Sequence, residues 1–146
     1  MLTKKTKFTI GRLAHVAGVN IETVRYYQKI GLLQQPEKPK LGGFRTYSES
    51  DVWRIRLIKR AQELEFTLAE IARLIDLVES GDCDSLRREA AAKIAAIDTQ
   101  IDALASSRTQ LVKMIERCSV GGRDDCAFID WLAHGDDATA AQDGHP

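Results

Sequence analysis

From residue 82 to residue 120 the chain contains neither glycine nor proline. Within that stretch Ala90, Ile94, Ile97, Ile101, Leu104, Leu111 and Ile115 recur in alternating steps of four and three, with only Arg108 breaking the series. This is a heptad stripe of about four repeats, the pattern of a coiled-coil seam. It predicts one long helix from Asp84 to Arg117. A lone helix cannot bury such a stripe, so another surface has to cover it. A second copy of the same helix is the economical cover, and folding back onto the rest of the chain is the alternative.

The remainder also reads as helical. Thr9 is placed to cap a first helix bearing Ile10, Leu13, Ala14 and Ala17, which stops at Gly18-Val19-Asn20. A second short helix runs from Ile21 to about Ile30 and ends at Gly31. Two short helices joined by a tight turn form the helix-turn-helix pattern. Pro36 and Pro39 then interrupt the chain, and residues 41–47 predict a short hairpin, a wing. Ser48 with Asp51, and Thr67 with Glu70, open two further helices as capping pairs. The expected fold is mainly α: a winged helix-turn-helix head on residues 1–80, a dimerisation helix on 81–117, a loop with a short helix on 118–133, and a disordered tail on 134–146.

The formal net charge is zero, but it divides sharply. Residues 1–60 hold 13 Lys/Arg against 4 Asp/Glu, and residues 61–146 hold 8 against 17. A basic front half suits a polyanion, because surface cations displace counterions from phosphate. The simpler reading is a solvated charged surface. On the second helix Val24 and Ile21 suit a buried side, leaving Thr23, Arg25, Tyr27, Gln28 and Lys29 outward, with Tyr26 open to either side. One of the two tyrosines is expected to be a core aromatic. Lys38, Lys40, Arg45 and Tyr47 on the wing, and Arg54 on the next helix, complete a candidate set of contacts to double-stranded DNA. No apolar run is long enough to span a membrane, and Met1–Lys5 has no apolar stretch behind it, so a cytoplasmic location is expected.

In a reducing compartment three cysteines read as free or metal-binding thiols before they read as disulfides. Cys83 stands just before the long helix and Cys118 just after it, 35 residues apart. At the rise of an α-helix that is on the order of 50 Å, too far to share an ion within one chain. Two antiparallel helices bring Cys83 of one chain beside Cys118 of the other, whereas a parallel pair leaves them at opposite ends. Cys126 joins Cys118 through a turn-rich loop, giving three thiolates from two chains and two such sites per dimer. Such a donor set favours a soft ion: Hg(II), Cd(II), Pb(II) or Zn(II).

Thr9-Ile10-Gly11, Gly18-Val19-Asn20-Ile21-Glu22-Thr23-Val24-Arg25-Tyr26-Tyr27, Gly31-Leu32-Leu33, Phe44-Arg45-Thr46-Tyr47 and Phe66-Thr67-Leu68 with Glu70-Ile71 together resemble the MerR family of bacterial regulators. The resemblance covers about residues 8 to 132. It implies a winged helix-turn-helix head, an antiparallel two-helix dimer interface, and a homodimer that stays on a promoter and twists it when its ligand binds, so that RNA polymerase engages. It also implies that a cysteine at Cys83 marks sensors of divalent ions, since sensors of monovalent copper-type ions lack it. The segment 18–23 and the 35-residue cysteine separation look most like the mercury-responsive branch. The eight-residue step from Cys118 to Cys126 is one shorter than that branch usually shows, and a step of eight also occurs in the copper-type branch. Two other classes compete. One is a thiol-redox regulator, although a cluster normally asks for four cysteines. The other is a cysteine enzyme, which would lack a histidine close to its thiols, His15 lying in the first helix and His145 in the tail.

Overall fold

The protein is described from a computed structural model, which covers residues 6–117 and 127–135. Six helices follow in order: α1 (Ile10–Ala17), α2 (Ile21–Lys29), α3 (Glu49–Glu63), α4 (Leu68–Ser80), α5 (Cys83–Arg117) and α6 (Ala127–His134). The start signals read at Thr9, Ser48 and Thr67 hold atom by atom, and Asn20 adds a cap that was not read from the sequence. Thr9 Oγ1 accepts from the Arg12 N–H at 3.2 Å and Asn20 Oδ1 from the Thr23 N–H at 2.8 Å. The Asp51 carboxylate accepts from the Ser48 N–H, and Glu70 with Thr67 forms a reciprocal capping box. Gly18 and Gly81 close α1 and α4 in the left-handed conformation, at φ 74° and 72°.

The chain divides into two compact units, Met1–Lys93 and Ile94–Pro146. In the first, α1 packs on α2 and α3, and α3 packs on α4. Leu13, Val24, Leu33, Ile55, Ile58, Ile71 and Ile75 fill the centre of this core and are almost fully buried. The opening turns of α5 belong to the same unit through two ion pairs with α4, Lys93 Nζ to Glu70 at 2.9 Å and Arg73 to Glu89 at 3.5 Å. The Lys93 ammonium also lies 5.2 Å from the centre of the Phe66 ring. The second unit holds the rest of α5, where Ile94, Ile101, Leu104, Leu111 and Ile115 are exposed, and α6.

The hairpin expected over 41–47 does not form. Pro39 and Gly42 close a turn, and Tyr47 instead pairs with Phe8 in an isolated antiparallel bridge, both N–H···O distances being 2.8 Å. Two glycines at positive φ, Gly42 and Gly43, keep the intervening backbone from running as paired strands. The wing is therefore a loop, pinned at its end by the segment that leads into α1.

Candidate nucleic-acid interface and thiol site

The outward face of α2 follows from its buried one. Val24 and Tyr27 are three residues apart and share the core side, Tyr27 with 4% of its surface exposed. Ile21, expected inside, is instead partly open at the start of the helix, and Tyr26 stands half exposed. Tyr27, read from the sequence as outward, is thus the core aromatic of the pair. Its hydroxyl donates to Gln62 Oε1 at 2.8 Å, and burial pushes its phenol above the ordinary 10.0. The exposed side of α2 presents Thr23, whose hydroxyl is tied to Asn20 at 2.8 Å, and Arg25, which pairs loosely with Glu22 at 3.4 Å.

Tyr47 is also buried, at 3%, and its hydroxyl accepts from Gln28 Nε2 at 2.8 Å. This bond ties α2 to the wing loop. Arg45 donates from Nε to the Pro36 carbonyl at 2.8 Å, which closes the loop on itself, and Lys40 projects into solvent. Arg54 turns inward. Its Nε donates to the Leu32 carbonyl at 2.7 Å and its Nη1 to Glu79 at 2.7 Å. Arg56 and Lys59 donate to the carbonyls of Val16 and Gly18 at 3.0 and 2.9 Å, which satisfies acceptors at the end of α1. Of the eight residues expected to meet DNA, Thr23, Arg25, Tyr26, Lys40 and Arg45 have groups at the surface. Tyr27, Tyr47 and Arg54 face inward and support it.

Between α2 and the wing loop lies a hollow of about 320 Å³. Arg25, Gln28, Lys38, Phe44, Arg45 and Tyr47 line it, and no carboxylate residue does. Arg25, still loosely paired with Glu22, joins Lys38 and Arg45 at this open concavity, and such a set of cations suits a phosphate. Sequence reasoning named these cations singly. It missed the Gln28–Tyr47 link that fixes their spacing, because the two residues lie 19 positions apart with no periodic relation.

Cys83 is the first residue of α5 and is exposed. Asp82 holds that helix start, accepting from the Ser85 N–H at 3.0 Å and the Ser85 hydroxyl at 2.6 Å, bonds that lower its carboxyl from the ordinary 3.8. Cys118 and Cys126 lie outside the described residues. Among the described residues no cluster of three His, Cys, Asp or Glu side chains stands ready to hold an ion. An exposed thiol at a helix start, in no disulfide, fits a soft ion whose other ligands come from elsewhere. No helix among the described residues is long and apolar enough to cross a membrane.

The comparisons with known proteins agree along nearly the whole described chain. Residues 8–77 match the MerR HTH family regulatory protein family, and residues 52–114 match the MerR DNA-binding family. A mercuric resistance operon regulatory protein of Serratia marcescens is 42% identical over 83% of this chain and 84% of its own. The crystal structure of the transcription regulator PbrR691 from Ralstonia metallidurans CH34 in complex with lead(II) superposes with a TM-score of 0.75 at 28% identity, covering 86% of this chain and 98% of that one. MerR from Bacillus megaterium MB1 in complex with mercury(II), described as a dual-function transcriptional regulator, gives a TM-score of 0.66 at 36% identity, with 86% and 99% covered. On these matches the chain belongs to the MerR family, a family of DNA-binding transcription regulators and not of enzymes.

Proposed function

We propose that the chain acts as a homodimer on promoter DNA and senses Hg(II) through Cys83 of one protomer together with Cys118 and Cys126 of the other. The observation that carries this reading is the unbroken α5, Cys83–Arg117. One cysteine opens the helix and the next follows its last residue, so an antiparallel partner is the arrangement that joins them. The exposed stripe along α5 supports the same pairing. Thr23, Arg25, Tyr26, Lys40 and Arg45 are the residues proposed to meet DNA. Arg25 and Tyr26 do so from α2 in the major groove, and Lys40 and Arg45 at phosphates.

Mercury is preferred because several relatives are named mercuric resistance operon regulatory proteins and one similar structure holds mercury(II). The lead(II) complex of PbrR691 makes Pb(II) the second reading, ahead of Cd(II) and Zn(II). Three thiolates supply charge and softness for all of these ions. Holding the ion across the dimer favours one arrangement of the heads over another, and only such differential affinity shifts the equilibrium. The heads then distort the duplex between them, and RNA polymerase engages the altered promoter.

The test is promoter response to Hg(II), Pb(II), Cd(II), Zn(II) and Cu(I), with each cysteine changed to serine in turn. Any single serine abolishes the response while DNA binding persists. Mixed dimers with Cys83→Ser on one chain and Cys118→Ser on the other keep one site and a partial response. A metal response intact in Cys83→Ser, or absent from every such mixed dimer, would overturn the shared site.

A further inference from the structure

The wing loop carries two large apolar side chains that the described residues leave largely bare. Leu41 is fully open, at 102% of its reference surface, and Phe44 is 80% exposed. Isolated surface hydrophobes are ordinary, but these two stand at one tip, flanked by Lys38, Lys40 and Arg45. The tip is built to project. The Gly42 N–H returns to the Pro39 carbonyl at 3.3 Å, and Gly42 and Gly43 take φ of 87° and 114°, which side-chain-bearing residues avoid. The Arg45–Pro36 and Gln28–Tyr47 bonds hold the loop's base against α2.

The cationic hollow decides what the tip meets. Arg25 enters it from α2, and Lys38 and Arg45 from the loop. A phosphodiester ridge seated there has α2 on one side and the wing tip on the other. On B-form DNA the two sides of a backbone ridge are the major and the minor groove. With α2 in the major groove, as the proposed function has it and on which this step rests, the tip falls into the minor groove.

We infer that Leu41 and Phe44 form an apolar wedge that packs against the sugar edges of the minor groove flanking the α2 site, and that the wedge discriminates A·T from G·C there. Minor-groove walls are largely deoxyribose C–H surface, and the groove is about 6 Å wide. Apolar side chains pressed into it add affinity that releases no counterions, and they favour steps that widen easily. The exocyclic amine of guanine projects into that groove and opposes an apolar occupant.

The experiment uses the full chain and a short duplex selected by it from a random-sequence pool, with affinity followed over a range of salt concentrations. Leu41→Ser with Phe44→Ser is expected to weaken binding about tenfold at every salt concentration, leaving the slope of log affinity against log salt unchanged. Lys40→Gln lowers that slope by about 0.9 per wing. Leu41→Met with Phe44→Leu keeps affinity, which separates lost apolarity from a disturbed loop. Replacing A·T by G·C under the wing weakens the parent chain, and inosine in place of guanine restores it. The serine pair is indifferent to both changes. A serine pair that binds as tightly as the parent, or loses affinity through the slope, overturns the wedge. So does one that binds DNA normally but loses polymerase-dependent transcription, which would assign the tip to a protein surface. If no duplex is selected at all, DNA binding itself fails, and the wedge with it.

Discussion

Arg54 shows how much the role of one residue depends on where its donors end. By sequence it is one more cation on a basic helix. In the fold its Nε reaches the Leu32 carbonyl just after α2 and its Nη1 reaches Glu79 in the last turn of α4, both at 2.7 Å. The two bonds differ in worth. Glu79 is over half exposed, so its ion pair is screened and contributes at most about 1 kcal/mol. The charge-assisted bond to a part-buried carbonyl is worth more. Arg54→Ala is therefore expected to cost on the order of 2 kcal/mol in urea unfolding, and Glu79→Ala under about 1 kcal/mol. Equal costs would show that the ion pair, not the carbonyl bond, is what matters. At Tyr27, replacement by Phe leaves Gln62 without its partner and is expected to cost about 1 kcal/mol, with no change in the salt dependence of DNA binding, since the hydroxyl points inward.

Among the elements, the junction of α4 with the start of α5 has a definite pH response. Glu70 caps α4 and also receives Lys93 from α5. The hydrogen bond from Lys93 first, and those from Thr67 after it, hold the Glu70 carboxyl at about 2 against an ordinary 4.5. A depressed acid stabilises the fold while ionised. The contribution is therefore complete above pH 4.5 and is lost as the pH falls toward 2. Thermal unfolding of Glu70→Gln should be less pH-dependent than that of the parent across that window, and an identical pH profile would contradict the assignment. Helix starts at Thr9 and Thr67 were legible in the sequence because each cap is a local exchange within three residues, whereas Asn20, read only as part of the turn, proves to cap α2. The wing was not legible as a loop, because Tyr47 finds its backbone partner in Phe8, 39 residues upstream. Tyr27 and Ile21 traded places for a related reason. Both lie on the helix side bordering the core, and the depth of the core beneath each one decides which is covered. The long α5 was the most legible element, since a stripe broken only at Arg108 needs no distant partner to be recognised.

For the molecule as a whole the decisive surface is the one a single chain leaves bare. Ile94, Ile101, Leu104, Leu111 and Ile115 are exposed along α5, and on the proposed dimer they meet their counterparts. Ile101→Asp with Leu104→Asp should yield a monomer by light scattering. Because one head then has to hold DNA alone, affinity for a two-fold operator should fall on the order of 100-fold or more. A double variant that remains dimeric would place the interface elsewhere. The charge division acts at the same scale. Residues 1–60 carry the basic excess and residues 61–146 the acidic one, so the cations that suit a polyanion are concentrated in the helix-turn-helix part of the chain. Of the proposed metal site, one thiol of three is within the described residues, so the spacing of the cysteines in the sequence remains its fullest description.

The bare stripe has a further consequence, for abundance. On the proposed dimer the longest helix is covered by a second copy, and the stability of the protein and of its proposed sensing site then depends on how many copies are present. Its melting temperature should climb with protein concentration, and dilution should dismantle the sensing site before the head itself unfolds. A cell holding few molecules of such a regulator would keep some of them as single chains, unable to assemble three thiols. The number of chains made would then set the dose of metal at which the promoter responds.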